Sequence, residues 1–121
     1  MPEAEYWVAL LRASPYGSTK AWEALDTLMA FAAFEQPIKP IFMGDGVWQL
    51  VDSVAPADPS HKQLHKVIAS LPLFDVDEWY ACESSLTARS LATTRLIGGT
   101  TVCNSAGLRA ICCGARGVLS F

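Results

Sequence analysis

Of the residue types in this chain, cysteine is the one best suited to covalent chemistry, and its four copies have unequal settings: Cys82, Cys103, Cys112 and Cys113. Cys82 follows Glu78-Trp79-Tyr80-Ala81, which reads as a strand, and opens Glu83-Ser84-Ser85-Leu86, which reads as a helix. A thiol acts as nucleophile or sulfur carrier only as thiolate. Free amide N–H groups at a helix start and the hydroxyls of Ser84 and Ser85 favour that anion, while the charge of Glu83 opposes it. The plain alternative is a buried thiol that ends a strand, and the local pattern by itself favours it. Cys112 and Cys113 adjoin each other on the last helical segment, so one faces the core beside Leu108 and Ile111 and the other does not.

Other candidate chemistry is weaker. Zinc needs paired ligands at short spacing. There is no C-x-x-C pair, and His61 and His65, at i and i+4, have no third ligand. No metal or cofactor is therefore expected. Gly17-Ser18-Thr19-Lys20 has part of a phosphate loop, but Ala21 stands where Ser or Thr is required, so a turn with a helix cap is expected. Gly44-Asp45-Gly46 would let backbone approach a ligand or partner, or simply turn the chain. Asp45 has no His or Ser beside it in sequence to work with as a base.

Apolar runs alternating with helical patterns predict βαβ units and a parallel sheet. Strands are expected at 6–11, 39–43, within 75–82, at 95–101 and at 117–121. Trp22, Leu25, Met29 and Ala32 recur at helical spacing up to Pro37. Val47-Trp48-Gln49-Leu50 reads as the start of a short helix, and residues 52–60, with two prolines, as a loop. Leu64, Val67, Ile68 and Leu71 mark an amphipathic helix from His61, and Asn104 or Ser105 caps the last helix. Right-handed crossovers with one reversal of strand order make this a three-layer α/β sandwich with a flavodoxin-like, parallel five-stranded sheet. Ligands collect at the carboxyl ends of such strands, where the features 14–18, 44–46 and 82–85 fall.

The 121 residues suit one domain, 1–121, with one core. Hydrophobic residues make up 51% and charged residues 17%, which excludes a disordered chain and suggests surface covered by another subunit. The aromatics Trp22, Trp48 and Trp79 are candidates for that burial. A net charge of −3 with scattered cations argues against direct nucleic-acid binding. No apolar run approaches a membrane span, and the acidic start lacks the basic region of a signal peptide, so a cytoplasmic protein without disulfides is expected.

These motifs together give a resemblance. Ser14-Pro15-Tyr16-Gly17, Glu23-Ala24-Leu25-Asp26, Phe42 to Leu50, Leu73-Phe74-Asp75-Val76, Cys82 to Leu86 with Arg89-Ser90-Leu91, and Val118 to Phe121 resemble the DsrE/DsrF-like sulfur-relay family. Within it the TusC/DsrF subunit type is most similar. Cys103, Cys112 and Cys113 lie outside the matching pattern. The resemblance implies a cytoplasmic dimer of heterotrimers with sister DsrE/TusD-type and DsrH/TusB-type subunits. It passes persulfide sulfur towards tRNA 2-thiouridine or serves oxidation of stored sulfur. The principal carrier Cys is implied on the sister chain, at the position matching Cys82, which makes this subunit mainly a structural, non-catalytic partner. Cys82 as an active persulfide carrier, and a stand-alone binding or regulatory module, are the alternatives. Tyr16, Gly17, Gly44, Asp45, Gly46, Trp48, Ser84 and Ser85 are the strand-end or interface candidates.

Overall fold

Parallel strands covered on both faces read as continuous apolar runs, and the first of these, β1 (Trp7–Leu11), lies inside the sheet. A computed structural model of the chain describes residues 5–15, 19–51, 64 and 66–121. The remaining strands are β2 (Ile38–Phe42), β3 (Trp79–Cys82), β4 (Thr100–Cys103) and β5 (Val118–Ser120). All pair in parallel in the order β4-β3-β2-β1-β5, so the expected single reversal falls at the last crossover, which carries the chain back to β1. Pro40 is tolerated inside β2 for a geometric reason. Met43 N–H donates to Leu11 O, so by the period of two Pro40 directs its missing donor towards β3, whose ladder with β2 begins only at Ile41 and Tyr80.

Alternation sorts the strands onto two faces. On one, Ala9, Leu11, Phe42, Trp79 and Ala81 meet α1 (Lys20–Ala33) through Ala21, Ala24, Leu25 and Leu28. The same core takes in α2 (Glu83–Ala88) through Leu86, and Leu64 and Ile68, the inward residues of the expected amphipathic helix. On the other face, Val8, Ile41, Tyr80 and Cys82 pack against one helix, α3 (Ser105–Cys113), through Leu108. Asn104 caps α3 by accepting from Gly107 N–H at 2.8 Å, and Tyr6 Oη donates to Ile111 O at 2.7 Å. The cap of α1 is Thr19, just past the expected turn.

Two expectations change. The fourth strand does not run over 95–101 but starts at Thr100. Gly99 has φ +96°, and a Cβ there would sit 2.9 Å from the Trp79 ring, so the chain turns before it can pair. Trp79 itself is not a partner-facing aromatic: its indole is in the core and its Nε1 donates to Thr100 Oγ1 at 2.8 Å, whereas Trp22 and Trp48 are half-buried. The glycines at 44–46 do more than end β2. They begin a 3-10 helix, Gly44–Leu50, that lies on the carboxyl end of β1, where a Cβ on Gly46 would fall 1.9 Å from Leu11 O. Gly46→Ala must push this helix off β1. It should cost about 2 kcal/mol of stability, read as a lower urea midpoint, and an unchanged midpoint would refute the contact.

Candidate functional site

The carboxyl edge of the sheet is assembled from β3, α2 and the 3-10 helix. β3 ends at Cys82, which becomes the N-cap residue of α2 with extended backbone (φ −72°, ψ 117°). The residue is only 5% exposed, and its Sγ lies 3.2 Å from Ser84 Oγ. Burial pushes this thiol up. The hydroxyls of Ser84 and Ser85 and the backbone groups of the same residues together outweigh burial and hold it below the usual thiol range. Glu83 is exposed, where solvent screens its charge. The opposite holds for Cys112, whose thiol is pushed up by burial and by Cys113 beside it.

The glycine turn is fastened to α2 from the other side. Gly44 N–H donates to Ser85 Oγ at 2.9 Å. Arg89 reaches across to Asp45 Oδ1 with Nε and Nη2, each at 3.1 Å, and its Nη1 donates to Ser85 O at 3.2 Å. Asp45 is therefore an ion-pair partner, and its carboxylate is 61% exposed, so the pair contributes little stability and mainly sets orientation. Arg89 is the residue that sequence reasoning missed. Its sequence signals are its place in the family-like segment Arg89-Ser90-Leu91 and its position four residues after Ser85, on the same side of a short helix. Gln49, buried in the same 3-10 helix, donates from Nε2 to Ala13 O at 2.8 Å and tethers the segment after β1.

The structure thus brings Cys82, Ser84, Ser85, Gly44, Asp45 and Gly46 to one edge, while Trp48 packs sideways against the main core. Tyr16 and Gly17, like residues 52–60, His61 and His65, lie outside the described residues. Among the described residues no three His, Cys, Asp or Glu side chains converge as a metal set, and no helix is long and apolar enough to cross a membrane. All four cysteines are free thiols. Beside Cys82, in register on β4, lies Cys103.

An all-parallel five-stranded α/β domain with a cysteine at the N-cap position of the helix after its third strand is the class defined by this geometry. The chain belongs to the DsrE/DsrF-like family, whose model matches residues 7–121. It is 38% identical over 98 residues to a TusC homolog of Pseudomonas aeruginosa, covering 81% of this chain and 82% of that one. A TusC homolog of Vibrio parahaemolyticus is 34% identical over 88 residues, covering 73% and 75%. Among solved structures, the YchN protein of Escherichia coli superposes with a TM-score of 0.80 over 97% of this chain and 99% of its own, at 22% identity, which establishes likeness of fold.

The thiol's environment is testable directly. Because its pKa is depressed, the rate of Cys82 alkylation by iodoacetamide should rise with pH earlier than that of an ordinary thiol. Ser84→Ala should move this profile to higher pH. An unmoved profile would mean that Ser84 does not stabilise the thiolate.

Proposed function

We propose that this chain, as a single domain, is a subunit of a cytoplasmic sulfur-relay complex and acts mainly as the structural partner of a persulfide-carrying sister chain. Membership in the DsrE/DsrF-like family and the likeness to TusC homologs support the reading. The observation that carries the structural role is the contrast between a buried Cys82, only 5% exposed as a residue, and apolar residues that stand in the open. Phe34 is 79% and Leu73 84% exposed, with Phe74 and Val102 also open. Surface of that kind is expected to be covered in an assembly. The partners are DsrE/TusD-type and DsrH/TusB-type subunits in a dimer of heterotrimers, and the TusC likeness favours tRNA thiolation over sulfur oxidation as the destination of the sulfur.

Co-expression with both sister subunits should yield a discrete hexamer in size-exclusion chromatography, while the chain alone should self-associate. A well-behaved monomer that binds neither sister would overturn the proposal.

One observation favours a second reading, in which Cys82 itself carries sulfur: the four hydrogen-bonding groups of Ser84 and Ser85 that lower its pKa. After exposure to a persulfide donor, mass spectrometry should then show about 32 Da, one sulfur atom, added at Cys82. An unlabelled Cys82 beside a labelled sister subunit would leave it with a structural role only.

A further inference from the structure

Three of the four cysteines, Cys82, Cys103 and Cys112, pack into the same small core beneath α3. Their places within it differ. Cys82 on β3 and Cys103 on β4 are register partners on adjacent parallel strands. Neighbouring strands stand about 4.8 Å apart, within the Cα separation that a disulfide spans. Register partners also project to the same side of the sheet, here the α3 side, where both cysteines belong to the cluster that holds Tyr80 and Leu108. Cys103 Sγ lies under the first turn of α3, 3.9 Å from where a Cβ at Gly107 would be. Cys112 instead faces a cavity lined by Leu10, Ile41 and Met43, over β1 and β2.

We propose that Cys82 and Cys103 are a dithiol pair that closes reversibly into an intrachain disulfide between β3 and β4. β4 is an edge strand that pairs only with β3 among the described residues, so it can shift the short distance that closure requires. The half-buried Cys103 is the more accessible thiol and exchanges first with an external low-molecular-weight disulfide, RSSR. Its thiolate bonds to one sulfur of RSSR and the other leaves as RS⁻. The Cys82 thiolate, held by Ser84 and Ser85, then attacks Cys103 Sγ and expels the second RS⁻. The pair loses two electrons and two protons, and RSSR is reduced to two RSH. In the relay reading, closure would withdraw Cys82 from any sulfur transfer; the pair itself rests on register and face alone.

Trypsin separates the thiols cleanly, because Cys82 falls in residues 67–89, Cys103 in 96–109, and Cys112 with Cys113 in 110–116. The reduced full chain is treated with glutathione disulfide and capped with N-ethylmaleimide. Species migrating as a monomer without reductant are digested for mass spectrometry. The expected product joins 67–89 to 96–109, with both peptides lost from the alkylated pool and recovered on reduction. Cys82→Ser should stop the reaction with glutathione retained on Cys103, and Cys103→Ser should abolish the link. Both peptides fully alkylated, each carrying its own glutathione, or either joined to 110–116 would overturn the pair. No sister subunit or persulfide enters the assay, so its outcome is independent of the relay proposal.

Discussion

Gly46 lies so close to the end of β1 that a single methyl group there would overlap the Leu11 carbonyl, and the carboxyl edge of the molecule is organised around that approach. The 3-10 helix can lie flat on the sheet only because this position has no side chain. Once seated, it offers Gly44 N–H to Ser85, Asp45 to Arg89 and Gln49 to the segment after β1. Three chain segments far apart in sequence are thereby held together by backbone-scale contacts. Ser85, positioned from one side by Gly44, is the same residue that helps to lower the pKa of the Cys82 thiol from the other.

The two faces of the sheet are covered unequally, and this bears on function. α1, the 3-10 helix and α2 bury one face thoroughly. The other is covered by α3, whose one buried residue among those described is Leu108. Cys82 and Cys103 lie on this lightly covered side, as does Tyr80, whose phenol is pushed up to about 12, first by burial and then by its hydrogen bond to Glu78. A thin layer over two neighbouring thiols allows chemistry that a fully packed face would block. On edge strand β5 the exposed Val118 is the register partner of Val8 and so stands on this lightly covered side, which adds apolar surface beside it.

Elements whose signal is local were readable before folding. β1, β2 and β5 follow apolar runs, α1 follows its stripe of Leu and Ala to a stop short of Pro37, and Asn104 carries its own capping oxygen to Gly107. The position of Cys82 between strand and helix belongs to the same class of information. β4 was misplaced because its start depends on how Gly99 meets the indole of Trp79, a ring twenty residues away in the chain. Trp79 was misjudged as partner-facing for a related reason: a strand residue shows its period but not which face will be the deeper one.

The sequence by itself therefore determined the α/β alternation, the parallel sheet, the family pattern and the strand-end thiol, since each is written in residues adjacent or at fixed short spacing. Only the tertiary structure decided which thiol stands beside Cys82, that Arg89 holds Asp45, and that Ser85 is shared between the glycine turn and the thiol. Those pairings depend on strand register and on close backbone approach, and both are properties of packed segments with no counterpart in local sequence pattern.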